Sequence, residues 1–133
     1  MTAIATRPLS DSTDSLLRFA LRLDATLTGF LGLGIAMMAD PMARLTGLTP
    51  LQEYVIGAAF VLYGVGVYAL AAMPDIRRVG IALVAANTVG TAGFIAVAAA
   101  VPLATGGVAV ALACSAYTAS FAVLQYLGVR RLA

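Results

Sequence analysis

Histidine, tryptophan and lysine are absent from the sequence, and cysteine occurs once, as Cys114. Without histidine, the chain has no imidazole to ligate a metal or haem, or to relay protons. A single cysteine permits neither an internal disulfide nor a CxxC redox pair. We therefore expect no metal and no cofactor, and any acid–base chemistry must come from carboxyl, hydroxyl and amide groups.

Charged residues are also scarce. They make up 11% of the chain, whereas soluble domains average about 25%. Hydrophobic residues make up 62% and the mean hydropathy is +0.99, which is more apolar surface than a soluble fold of 133 residues can bury. The net charge of +2 is too small to indicate a nucleic-acid partner. The composition predicts a single transmembrane domain over residues 1–133, surrounded by lipid.

Long uncharged runs predict four membrane-spanning helices, at about 12–39, 50–73, 77–101 and 107–130. A helix needs about 20 apolar residues to cross a hydrocarbon core of about 30 Å. The run 54–74 supplies one span, and the run 79–129 supplies two, separated by turn residues near Pro102 and Gly106. Short connections between them predict an all-α, antiparallel up-down four-helix bundle.

The first span differs from the others because its uncharged run, 25–39, is only roughly 22 Å long as a helix. It must begin near Phe19, which takes Arg22 and Asp24 into or against the membrane. After this span, an Asp-Pro pair at 40–41 predicts a short helix that ends at Gly47.

Two further signals mark the start of the second span. Thr49, with Gln52 three residues later, predicts a capping box. Glu53 in the same helical turn complements the helix dipole. Arg44 is a candidate partner for this carboxylate.

Arginines are concentrated at one predicted end of the bundle, and Arg44 alone lies at the other end. Because positive residues favour the cytoplasmic side, both termini are predicted to be cytoplasmic. Asp11 and Asp14 stand where a cleavable signal peptide would be basic, so we do not expect one. The arginines of the cytoplasmic end are Arg7, Arg18, Arg22, Arg77, Arg78, Arg130 and Arg131.

The two halves of the chain resemble each other weakly. The stretch 24–30 is similar to 87–94, and each half then runs through an outer turn with proline and a tyrosine (Tyr68, Tyr126) to a pair of arginines. Because both halves start on the same side, this pattern is that of a tandem duplication of a helical hairpin. Chance similarity among abundant alanine, glycine and threonine residues is the alternative.

Each predicted span carries a polar residue in its cytoplasmic half, and these residues form a candidate site. The polar groups are Asp24, Tyr68, Asn87 and Gln125. A carboxyl group in apolar surroundings can act as a general acid or base, so Asp24 is the candidate catalytic residue, with Tyr68 or Tyr126 as a second donor. Asn87 and Gln125 would orient a ligand oxygen, and Thr28, Arg22 and Tyr117 would complete the ligand site.

A structural interpretation of the same residues stays open. Asp24 would pair with Arg18 or Arg22 at the interface, and the remaining polar groups would form hydrogen bonds between helices.

A set of short motifs lies between Gly29 and Phe94, preceded by Leu-Arg-Leu-Asp at 21–24. The motifs are DPMARLTGL at 40–48, Ile-Gly-Ala at 56–58, Leu-Tyr-Gly at 62–64, Arg77-Arg78 and Asn87. Together they resemble small four-helix bacterial membrane proteins of the DoxX-like group and related uncharacterised actinobacterial families. The resemblance implies a four-helix bundle in a bacterial inner membrane, and it implies no particular reaction.

Three functions compete at this level. The first is a protein whose polar layer binds a lipophilic small molecule, with cofactor-free isomerisation, cyclisation or epoxide opening as the chemistry open to it. The second is an accessory or scaffold subunit of a larger membrane complex. The third is a small proton-coupled transporter that acts as a homo-oligomer.

Overall fold

The computed structural model describes residues 13–132, which contain five helices and no strand. Four of the helices are long and apolar enough to cross a membrane, so the chain is a multi-pass membrane protein. The predicted all-α bundle is confirmed. The predicted start of the first helix, at residue 12, lies outside the described residues, as does Arg7. The helices are α1 (Ser15–Met37), α2 (Ala39–Thr46), α3 (Pro50–Leu70), α4 (Ile76–Ala100) and α5 (Thr105–Arg130).

Local sequence signals set several helix ends. The Thr49 hydroxyl accepts from the Gln52 backbone N–H at 3.1 Å, and the Gln52 side chain accepts from the Thr49 N–H at 2.9 Å, which confirms the capping box. Gly47 ends α2 with a φ of +82°, a conformation that favours glycine. Asp75 caps α4 by accepting from the backbone N–H of Arg78.

The spanning helices associate as two antiparallel pairs, α1 with α3 and α4 with α5. In the first pair, a Cβ on Gly57 would lie 2.5 Å from the carbonyl oxygen of Gly32, so the two backbones can approach this closely only with glycine. This pairing is the arrangement that a repeated hairpin predicts. Contacts between α1 and α5 join the pairs, whereas α3 and α4 hardly touch.

The bundle is tightly packed at the end where the α3–α4 turn lies. Leu17, Leu21, Val67 and Ala71 are buried together there. Arg18 stabilises this end, because its guanidinium donates to the carbonyl oxygens of Ala71 at 2.7 Å and Met73 at 3.1 Å. Carbonyl groups at the end of a helix have no N–H partner within the helix, so they need donors from elsewhere.

The outer surface of the bundle is rich in large apolar side chains such as Leu51, Leu62 and Val89. A soluble monomer rarely exposes so much contiguous apolar surface. This surface suits contact with lipid along the four spanning helices.

Candidate functional site

The carboxyl group of Asp24 is the centre of a hydrogen-bond cluster that involves all four spanning helices. Asp24 is 0% exposed. Its Oδ2 accepts from Tyr63 of α3 and Gln125 of α5, both at 2.9 Å, and from Asn87 of α4 at 3.1 Å. Since each spanning helix contributes at least one member, the cluster fixes the relative positions of the helices.

The other carboxyl oxygen, Oδ1, accepts from two hydroxyl groups. Thr28, one turn along α1, lies 3.1 Å away and Tyr117 of α5 lies 3.2 Å away. The two hydroxyls are also 2.8 Å from each other, and Tyr117 lies 3.1 Å from the backbone carbonyl oxygen of Asp24. We call the six residues Asp24, Thr28, Tyr63, Asn87, Tyr117 and Gln125 the Asp24 cluster.

The two halves of the predicted repeat meet inside this cluster. Asp24 and Asn87 occupy matching positions in the similar stretches, and their side chains are hydrogen-bonded to each other. Asn87 also donates to Gln125 Oε1 at 2.9 Å, which links the α4–α5 pair to the carboxylate. Asp24, Asn87 and Gln125 are all buried, so the prediction that they point into the bundle is confirmed.

The interpretation in which Asp24 pairs with an arginine is wrong for the described residues. The ion pairs found between residues 13 and 132 are Asp14–Arg18 and Asp75–Arg78. Arg18 points to the end of α3, and Arg22 is exposed. The other half of that interpretation holds for Asn87 and Gln125, which form hydrogen bonds between helices.

Three residues predicted for the site lie elsewhere on the surface. Tyr68 is 55% exposed and Tyr126 is 49% exposed, with the Arg130 guanidinium 5.9 Å from the Tyr126 ring centre. Arg22 is exposed as well. The structure therefore does not bring Tyr68, Tyr126 or Arg22 to Asp24.

Helix geometry explains these placements. Tyr68 follows Tyr63 by five residues, which turns its side chain by roughly 140° around α3. Tyr126 follows Tyr117 by nine residues, which puts it on the opposite face of α5. Sequence reasoning missed Tyr63, although it shares a helix face with the buried Val67 one turn later.

A cavity of about 920 Å³ extends from the Asp24 cluster towards α2. Asp24 and Ile35 both line it, which gives it a length of roughly 16 Å along α1. Met42 and Leu45 of α2 lie at its far end. The cavity thus has one polar end and apolar walls, as small-molecule sites in proteins commonly do.

Phe60 and Phe94 flank the cavity where α3 and α4 separate. Their rings meet edge to face, with centroids 6.4 Å apart. This aromatic pair forms a contact between α3 and α4 beside the cavity.

A second buried carboxylate lies at the opposite end of the bundle. Glu53 is 2% exposed and accepts a hydrogen bond from the Thr46 hydroxyl of α2. Arg44, its predicted candidate partner, is exposed instead. Glu53 does not line the cavity.

Chemically, the Asp24 cluster is suited to proton transfer. Tyr63 and Tyr117 are among the residues that line the cavity, and the hydroxyl group of each donates to the Asp24 carboxyl group. Each hydroxyl is therefore a candidate for passing a proton between Asp24 and a molecule in the cavity. Residues 13–132 contain no group of three acidic, cysteine or histidine side chains placed to hold a metal ion.

Comparisons with protein-family models, with curated proteins and with solved structures find no match to this chain. The resemblance to the DoxX-like group therefore stays a prediction, and the function has to be argued from the cavity and the Asp24 cluster.

Proposed function

We propose that the protein binds a lipophilic small molecule in the cavity, with the polar end of that molecule at the Asp24 cluster. The observation that carries this proposal is the cavity of about 920 Å³ with apolar walls and a single polar end. A hydrogen-bond cluster that served only to hold helices together would need no such space beside it.

We further propose cofactor-free acid–base chemistry on the bound molecule, with Asp24 as the residue that exchanges the proton. In the forward direction the ligand gives a proton to the Tyr63 oxygen as Tyr63 gives its own proton to Asp24 Oδ2, 2.9 Å away. The ligand is left with the electron pair, and the reverse transfer returns the proton. Isomerisation, cyclisation and epoxide opening can all be driven by such exchange.

The tightly packed end of the bundle favours binding over transport. Leu17, Leu21, Val67 and Ala71 fill the bundle between the Asp24 cluster and the α3–α4 turn. A substrate entering from the α2 end therefore meets a closed core, as expected for a binding site or an enzyme.

The protein is proposed to lie in a bacterial inner membrane with both termini in the cytoplasm. Arg77 and Arg78 at the α3–α4 turn and Arg130 at the end of α5 support this orientation, and Arg44 is the one arginine of residues 13–132 at the α2 end. A reporter enzyme that works only in the cytoplasm should be active when it is fused after Ala133. Activity of an export-dependent reporter at the same point would contradict the orientation.

Ligand binding is tested with a variant that fills the cavity next to its polar end. Ala86 and Ala85 are adjacent exposed residues of α4, but only Ala86 lines the cavity. Native mass spectrometry of protein purified from its natural cells should show a bound lipophile in the wild type and in Ala85→Trp, and none in Ala86→Trp. Equal occupancy in both variants would contradict the proposed site.

The acid–base chemistry is tested by identifying the molecule bound to Asp24→Asn. This change keeps most of the shape of the cluster and removes the carboxylate that would accept the proton. If Asp24 drives the reaction, the variant should hold the unconverted molecule, distinguishable from the wild-type ligand by mass or chromatographic retention. The same bound molecule in both proteins would remove catalysis from the proposal and leave binding.

A further inference from the structure

The hydrogens of the polar groups that line the cavity are already engaged within the protein. Tyr63 gives its single hydroxyl hydrogen to Asp24. Asn87 gives one amide hydrogen to Asp24 and the other to Gln125. The hydroxyls of Thr28 and Tyr117 find acceptors in each other and in the carboxyl and backbone oxygens of Asp24.

The hydroxyl hydrogens further along the wall of the cavity are also engaged within the protein. Thr118 lies 2.7 Å from the Thr91 hydroxyl. One of the two donates to the other, and the partner donates to a backbone carbonyl, Asn87 O at 2.9 Å or Ser115 O at 3.0 Å. Cys114 also lines the cavity, and a thiol is a weak donor. The polar groups of the cavity-lining residues therefore have oxygen lone pairs left to accept with and almost no free hydrogens to donate.

The charge of the Asp24 cluster also bears on what the cavity can bind. All five side chains around the Asp24 carboxyl group are uncharged donors, and an ionised carboxylate only accepts. Within residues 13–132 no basic side chain pairs with it. A charge in an apolar interior is costly unless an opposite charge lies near it.

From these observations we propose that the molecule bound in the cavity carries a protonated amine at its polar end. The ammonium group donates hydrogen bonds to the hydroxyl oxygens of Tyr63 and Tyr117, two residues that line the cavity, and supplies the positive charge that the described residues do not place beside Asp24. The apolar remainder lies along the α1 wall towards α2. This inference rests on the proposed function and specifies the ligand class of the same site.

Cys114 provides a direct measure of cavity occupancy, because it is the single cysteine of the chain and lines the cavity. The full chain is placed in phosphatidylcholine nanodiscs, whose headgroups carry no hydrogen-bond donor. Methyl methanethiosulfonate then modifies the thiol, and intact-mass spectrometry gives the rate. A molecule bound in the cavity slows this reaction.

Four probes with the same alkyl chain separate the contributions of charge and hydrogen bonding. They are tetradecylamine, tetradecanol, tetradecyl methyl ether and tetradecyltrimethylammonium, compared at equal mole fraction in the bilayer. We expect tetradecylamine to protect Cys114 at a mole fraction at least about tenfold lower than the methyl ether, with the alcohol between them. The quaternary ammonium, which has charge but no N–H, should protect Cys114 less than the amine does at the same mole fraction.

The outcomes separate failure of this inference from failure of the proposed function. If none of the four probes slows the modification, the proposed binding function itself is wrong. If the methyl ether protects as well as the amine, the cavity binds lipophiles but the donor argument is overturned. If the alcohol protects Cys114 as well as the amine does, the cationic assignment is overturned.

Two variants test whether the preference arises at the Asp24 cluster. Tyr63→Phe removes one accepting oxygen from the cavity and leaves the remaining donors to Asp24 in place. It should reduce the advantage of the amine over the ether by about threefold to tenfold. Tyr68→Phe, on the outer face of the same helix, should leave it unchanged. An unchanged preference in Tyr63→Phe, with protection by the amine retained, would contradict binding at this oxygen.

Discussion

Asp24 and Glu53 are both carboxylates buried in apolar helices, but their surroundings differ. Asp24 accepts from five side chains, on α1, α3, α4 and α5, and lines the cavity. Glu53 accepts from Thr46 of the neighbouring short helix and lies away from the cavity. Burial of a carboxylate is therefore common to both residues. The proposed site depends instead on the convergence of donors from several helices beside open space.

The two carboxylates should differ most in their contribution to the free energy of unfolding, measured by replacing each with leucine. Asp24→Leu leaves several buried donors without an acceptor, and we expect a loss of about 3–5 kcal/mol in the free energy of unfolding. Glu53→Leu should cost about 1–2 kcal/mol, because the Thr46 hydroxyl also lies 3.0 Å from the carbonyl oxygen of Met42 and can donate there. Reversible unfolding in mixed detergent micelles measures both.

A larger loss of stability for Glu53→Leu than for Asp24→Leu would contradict the greater structural role assigned to Asp24. It would mean that the contact between α2 and α3 contributes more to stability than the cluster that joins the spanning helices. The α2 helix would then be the more important structural element.

Replacement by the matching amide tests the hydrogen-bond pattern more finely. In Asp24→Asn the amide oxygen can keep the Oδ2 donors, and its NH₂ can donate to Thr28 and Tyr117, whose hydroxyls can rotate. We therefore expect a folded protein that is less stable by about 1–2 kcal/mol, the difference between charged and neutral acceptors. Glu53→Gln keeps an acceptor for Thr46 and should change stability by less than about 1 kcal/mol.

One result with the amide variants would contradict the expected reorganisation of the Asp24 cluster. If Asp24→Asn were as destabilised as Asp24→Leu, the cluster could not reorganise around an amide. The hydroxyls of Thr28 and Tyr117 would then be fixed as donors. Melting temperatures of the three Asp24 proteins, measured side by side, distinguish these cases.

The sequence predicted the fold well because long uncharged runs and caps are local signals. The spans, the capping box at Thr49 and the short helix ending at Gly47 all depend on residues close together in the chain. Asp24, Asn87 and Gln125 were also predictable, since polar groups at this depth are costly on a lipid-facing surface.

The tyrosines were not predictable in the same way. A tyrosine near the membrane interface is stable on the lipid side as well as inside the bundle, because its ring is apolar and its hydroxyl is polar. This holds at the depth of Tyr68 and Tyr126, near the ends of α3 and α5, whereas Tyr63 and Tyr117 lie roughly 7 Å and 14 Å deeper. The choice depends on which face of α3 and α5 packs inward, and that is decided by contacts between helices far apart in sequence.

The smallest expected effect concerns Tyr63 and Tyr68 and tests the contribution of a single hydroxyl group to stability. Tyr63→Phe removes one donor from Asp24 and should cost about 1 kcal/mol in the free energy of unfolding, because the remaining donors still serve the carboxylate. Tyr68→Phe removes a hydroxyl from an exposed side chain of the same helix and should change stability by less than about 0.5 kcal/mol. Because the two substitutions delete the same atom from the same helix, their difference isolates the contribution of the Asp24 contact. Equal losses in the two variants would show that the hydroxyl of Tyr63 does not stabilise the cluster, and Asp24 would then depend on the amides of Asn87 and Gln125.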